Sequence, residues 1–249
     1  MKKTLLCHFY NEEYLLPWFL NHHKNIFDHG IMIDYHSTDR SVEIIKEICP
    51  TWEIVKSRNE KFGAEQVDDE VMDIERSIDG WRICLNVTEH LIGNYDVLDD
   101  QSEKQILIPS FVFVDTDPEN LPSYDKSLYE QKTMGFFGAA EPIERLSRSI
   151  HNYPVFYDWI GRHFGEFHYP VELAIFYWGW CPWNNYQLQR KLQIKTQMPQ
   201  SDILSGKGAH HLAGKDEFEK IFEDRFIRRS YNLSKEIENF VAHHKRYTE

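Results

Sequence analysis

Apolar residues in the first part of the chain come in short runs separated by segments of helical period, and each change of period marks an element. Thr4 to Phe9 reads as a buried strand. Asn11 to Phe27 reads as a helix, because Leu15, Phe19, His22 and Ile26 share one face, with Trp18 beside them. A second strand, Gly30 to Asp34, ends in DYHSTDRS, where Asp39 can cap a helix carrying Val42, Ile45 and Cys49. Pro50 ends that helix. Glu53 to Ser57 reads as a third strand, and Gln66 to Ile78 as an acidic helix with Val67, Val71 and Ile74 inward. GWRICLNVTEHLI, from Gly80, reads as a fourth strand through Trp81, Ile83 and Leu85. Strand and helix alternate four times, which predicts a parallel sheet with helical crossovers.

Past Ile92 the pattern loosens. Ile106 to Val114 is one more apolar strand, ending at Asp115 and Asp117, and the stretch to Tyr186 is dense in aromatics and Gly. The spacing of Phe218, Ile221, Phe222, Arg225 and Phe226 predicts an amphipathic helix, and that of Leu233, Ile237, Phe240 and Val241 a last one. The expected fold is α/β, a Rossmann-type, mostly parallel sheet with flanking helices and a smaller irregular half, in one domain over residues 1–249. Within it, 1–100 is the ligand-binding half, 101–215 the second half and 216–249 the packing helices.

Composition narrows the function. The chain has 249 residues, 41% of them hydrophobic, and a formal net charge of -12. Nucleic acid and anionic membranes demand a basic surface, so neither is expected as a partner. Cys7, Cys49, Cys84 and Cys181 are widely spaced with no CxxC pair, which predicts free buried thiols. MKKTLLCHFYNEE has too short an apolar run for a signal peptide, and no run approaches membrane-spanning length, so a cytoplasmic protein is expected. His22, His23, His243 and His244 have no thiol or carboxylate at metal-site spacing and read as packing residues.

In open α/β sheets ligands bind outside the carboxyl ends of the strands. Three such ends carry polar groups here: Asn11 and Glu12 after the first strand, Asp34, Ser37 and Asp39 after the second, and Asn86, Thr88, Glu89 and His90 after the fourth. HFYNEEYLLPWFLNHH, FDHGIMIDYHSTDRS and GWRICLNVTEHL, over about residues 4–92, resemble the N-terminal half of inverting GT-A-fold glycosyltransferases of the family-two superfamily. PQSDILSGKGAHHL, residues 199–212, is similar to the late His-bearing segment that closes the donor site in those enzymes. The resemblance implies a UDP- or GDP-type nucleotide-sugar donor, a glycan or other hydroxyl acceptor, and base and ribose contacts from Glu12, Asp34 and Asp39, with Asn11, Ser37, Asn86 and Thr88 alongside.

Where the family has Asp-x-Asp for a divalent metal, this chain has Asn86-Val87-Thr88, then Glu89. The implied manganese or magnesium would rest on Glu89 with His210 or His211, because neutral side chains are poor ligands for a hard cation. Arg148, Arg162 and Lys207 are the cations expected to meet the diphosphate in its place. An inverting transfer also needs a base; Asp202 is the first choice, Asp115 the second, with Glu141 and Glu172 as further carboxylates. The aromatic run from Phe176 to Trp183 suits either core or an acceptor sugar. The competing readings are an inactive GT-A-like binding protein, which Asn86 and Thr88 favour, and a nucleotidyltransferase, which the missing Gly-rich loop after the first strand disfavours.

Overall fold

The computed structural model describes residues 1–138, 147–157, 162 and 172–248. β1 (Lys3–Phe9), α1 (Leu16–His23), β2 (His29–Asp34), α2 (Ser41–Ile48), β3 (Glu53–Lys56), α3 (Ala64–Glu75) and β4 (Trp81–Cys84) follow one another in the alternation that the hydrophobic period predicts. Their strands pair in parallel in the order β3-β2-β1-β4, with Leu6 opposite Ile31 and Cys84. The fold is α/β, a mostly parallel Rossmann-type sheet flanked by helices. Gly30 lets Trp52 lie flat on β2, since a Cβ there would sit 2.1 Å from the indole. α1 starts later than the pattern suggests. Asn11 turns the chain at φ 50°, and Pro17 lies in the first helical turn, where its missing N–H costs nothing.

The chain then changes sheets. Only four residues separate β4 from β5 (Glu89–Gly93), so Asn86 to Thr88 form a turn between sheets rather than an open strand end. The predicted strand over Ile106 to Val114 is two, β6 (Gln105–Ile108) and β7 (Ser110–Val114). Pro109 separates them because it has no N–H for a ladder. β9 (Arg148–His151) pairs antiparallel with both β4 and β6, completing the first sheet as β3-β2-β1-β4-β9-β6. The second sheet runs β11-β8-β7-β10-β5, formed with β8 (Met134–Phe137), β10 (Leu173–Trp180) and β11 (Tyr231–Asn232). α4 (Leu128–Gln131), α5 (Asn185–Gln197), α6 (Gln200–Ser205), α7 (Lys215–Ile221) and α8 (Ser234–Thr248) complete the described elements.

The two sheets share a core. Leu5 and Cys7 of β1, Phe19 of α1, Ile83 of β4, Phe176 and Trp178 of β10 and Ile237 of α8 pack into one apolar cluster. Trp178 lies stacked on Phe113 at 4.0 Å, so most of the aromatic run in β10 is core. All four cysteines are free and buried. No helix among the described residues is long and apolar enough to cross a membrane.

Candidate functional site

The carboxyl ends of β1 and β2 are tied into one platform. Asn11 accepts the Thr38 N–H at 2.7 Å and the Asp39 N–H at 3.3 Å through Oδ1, while its own N–H donates to Ser37 Oγ at 3.1 Å. Asp39 accepts from the N–H of Glu13 and of Ser41, both at 3.0 Å. The expected cap therefore exists, and the same carboxylate also fastens the two strand ends together. Asp34 turns the β2 loop by accepting the Ser37 N–H at 2.8 Å through Oδ1. Its Oδ2 has no hydrogen-bond partner among the described residues.

α5 lies over this platform. Asn184 opens the helix by accepting the Gln187 N–H. Further along the helix Gln193 reaches the turn after β1, donating to the Asn11 carbonyl at 3.0 Å. Between them Arg190 forms an ion pair with Glu12, both side chains being largely buried. Burial pushes the Glu12 carboxyl up, against the pull of Arg190. Lys191, next along the helix, has its ammonium 3.7 Å from the centre of the Trp180 ring and makes no ion pair among the described residues. Burial and then the Arg190 charge hold Lys191 well below the ordinary lysine range.

His210 and His211 sit on a short 3-10 turn packed against α5, close enough to feel the Lys191 charge. Burial, then the charge of Lys191, lowers the pKa of His210; His211 is pushed down to about 3, so both rings are neutral at pH 7. Among the described residues, the strand-end platform thus carries an Asp34 oxygen without a hydrogen bond, and the α5 side carries a lysine without an ion pair and two neutral imidazoles; an anion bound beside Lys191 would favour its charged form.

Glu89 has other partners than those expected. Its carboxylate is fully buried, with Oε1 2.7 Å from Arg148 Nη2, Oε2 2.8 Å from Arg148 Nε, and Oε2 also accepting the Asn86 N–H at 2.7 Å. Both oxygens are therefore saturated inside the turn that carries the chain between sheets. Thr88 is 3% exposed, and its carbonyl accepts the Trp178 N–H at 2.7 Å. Among the described residues no group of three or more His, Cys, Asp or Glu side chains could hold a metal ion. The expected set of Glu89 with His210 or His211 does not fit a divalent metal, because its only anion is already neutralised by a guanidinium.

The other expected cations and bases are engaged as well. Arg148 is held by Glu89, Arg162 by Asp68 at 2.5 Å and Lys207 by Glu65 at 2.5 Å. Asp202, 6% exposed, accepts the Ala64 N–H at 2.8 Å and caps α3. Asp115, 1% exposed, is paired with Lys132 at 2.7 Å and accepts the Trp183 N–H at 2.9 Å. Both Asp115 oxygens are hydrogen-bonded, whereas Asp202 keeps one oxygen without a bond among the described residues but is 6% exposed and holds the first N–H of α3 with the other. Glu172 hydrogen-bonds Asn94 at 2.6 Å, at the end of β10 opposite Trp180, and Glu141 lies outside the described residues.

Sequence reasoning missed Arg190 and Lys191. The available signal was a pair of adjacent cations in a strongly acidic chain, on a helix that follows the aromatic run.

A scan against protein-family models and a search of curated proteins gave no match. Solved structures of GT-A-type glycosyltransferases are similar to the chain. S. aureus TarS (residues 1–349) matches at 12% identity and TM-score 0.36, over 61% of this chain and 47% of TarS; it has also been solved with UDP and with UDP-GlcNAc. Glucosyl-3-phosphoglycerate synthase from Mycobacterium tuberculosis, in complex with Mn2+, uridine diphosphate and glucosyl-3-phosphoglycerate, matches at 14% identity and TM-score 0.32, over 45% of this chain and 44% of that one. HddC from Yersinia pseudotuberculosis matches at 13% identity and TM-score 0.32, over 46% of this chain and 60% of its own. The chain thus spans about half the length of the first of these.

Proposed function

We propose that the protein is a glycosyltransferase that binds a UDP- or GDP-type nucleotide sugar across the ends of β1 and β2 and transfers the sugar, with inversion, to a hydroxyl acceptor. The observation that carries this reading is the Glu12–Arg190 ion pair, which brings the polar strand-end platform against a helix bearing Lys191, a lysine with no ion pair among the described residues. The free oxygen of Asp34 suits a ribose hydroxyl or a base N–H. Lys191 suits the diphosphate, whose charge grows as the bond to the sugar breaks. Arg190 is a positioning residue, held by Glu12 so that its charge stands behind Lys191.

Neutral His210, exposed beside Lys191, is assigned as the base for the acceptor hydroxyl. This takes the place of Asp115, both of whose oxygens are bonded, and of Asp202, which is largely buried at the start of α3. A divalent metal has no role in this account, because Glu89 neutralises Arg148 and Asn86 and Thr88 carry no charge. Calorimetric titration with UDP, GDP and their sugar conjugates tests the donor reading. Saturable heat with at least one of them is expected, and its absence with all of them overturns the reading.

A further inference from the structure

A second cleft, of about 270 Å³, lies between α1, the start of β5 and the loop before α4. Trp18 and Tyr124 form its aromatic part, their rings 4.1 Å apart; Trp18 is buried and Tyr124 is 48% exposed. Asn21, His22, His90 and Lys126 supply polar groups around them, and Asp125 balances the charge of Lys126.

His90 distinguishes this cleft from an ordinary surface groove. It is 3% exposed and lines the cleft, and neither ring nitrogen has a hydrogen bond among the described residues. It stacks on His22 at 4.8 Å, and the His22 Nε2–H is committed to the Leu91 carbonyl at 2.7 Å, so this neighbour does not bond the His90 ring. Neither His90 nitrogen is among the fully buried side-chain atoms left without a partner, so although the residue is mostly covered its ring nitrogens open onto the cleft, where a ligand can meet them. Burial keeps both imidazoles neutral at pH 7, each able to donate one hydrogen bond and accept another.

We infer that this cleft is a binding subsite for one ring of a neutral carbohydrate. It offers mixed donors and acceptors with balanced charge, as a polyhydroxylated ring requires, beside aromatic rings for its C–H face. The volume is below the usual range for drug-sized ligands and suits a single ring. The cleft is also joined to the platform. The Tyr124 hydroxyl donates to the Tyr14 carbonyl at 3.0 Å, and Tyr14, two residues after Glu12, stacks at 5.2 Å on Tyr186 at the start of α5. A line of aromatic rings therefore leads from the cleft to the first turn of α5, the helix that carries Lys191. The cleft's role as an acceptor arm rests on the transferase reading, whereas carbohydrate binding does not.

The test is titration of the full chain, with labelled histidine rings and indoles, against chitotriose, cellotriose and mannotriose by NMR. Saturable shifts of His90 and Trp18 with at least one trisaccharide are expected, weakened roughly tenfold in Tyr124→Ala or Asn21→Ala, the scale of one lost contact. No shift with any of the three, or binding unchanged in both variants, overturns the proposal. UDP is titrated into the same samples, so loss of the donor reading and loss of this subsite register separately.

Discussion

Glu89 and Arg148 meet as a bidentate pair in which the carboxylate is 0% and the guanidinium 4% exposed, at the point where the chain passes from the first sheet to the second. The pair joins β5 to β9 and so ties the two sheets. Glu89→Gln leaves a buried guanidinium without its counter-charge, and removing one partner of such a pair costs about 3–5 kcal/mol. Urea unfolding should show a loss of that size, with no new dependence on manganese in either protein. Wild-type stability in the variant would contradict the assignment.

Asp34 and Asp39 have separable roles. Asp39→Ala removes the acceptor of two backbone N–H groups, so thermal unfolding should report a loss of about 1–2 kcal/mol. Asp34→Asn keeps the size of the side chain and removes the charge of its free oxygen. It should weaken UDP binding by about 1–3 kcal/mol in calorimetry, with stability little changed. A loss of affinity confined to Asp39→Ala would move the nucleoside contact away from β2.

The buried histidines predict acid sensitivity. Burial pushes His22 down to about 4, against an ordinary value of 6.5. Above pH 6.5 the ring is neutral in both states. As pH falls below 6.5 the unfolded chain takes up a proton that the fold refuses until about pH 4, so stability drops by about 1.4 kcal/mol per pH unit across that window. His244, 4.4 Å away and pushed down to about 2 by burial and then by His22, acts in the same direction. Denaturation at pH 7 and pH 5 should therefore show a smaller acid loss in His22→Gln than in wild type; equal losses would contradict this.

The elements that position the platform were legible because their signals are local. Short continuous apolar runs located β1 and β2, and the polar residues following each strand marked the ends that Asn11 and Asp39 fasten together. Glu89, Asp202 and Asp115 were misread because their partners are remote in sequence: Arg148 lies 59 residues from Glu89 and Ala64 138 residues from Asp202. A carboxylate that caps or neutralises a distant element looks, in sequence, the same as one left free for chemistry. The jump between sheets at Asn86 was hidden for a related reason, since an apolar run reads alike whether it serves one sheet or two.

Lys191 is the group on which the metal-independent account turns. Lys191→Met keeps an unbranched stem over Trp180 and removes the amine that a diphosphate would charge. The measurement is calorimetric binding of UDP and of uridine to both proteins after exhaustive chelation of metal. The account predicts that wild type binds UDP in chelator, and that Lys191→Met weakens UDP at least roughly tenfold while leaving uridine unchanged. UDP binding that disappears from wild type in chelator and returns with manganese, or a variant that binds UDP as tightly as wild type, would contradict it.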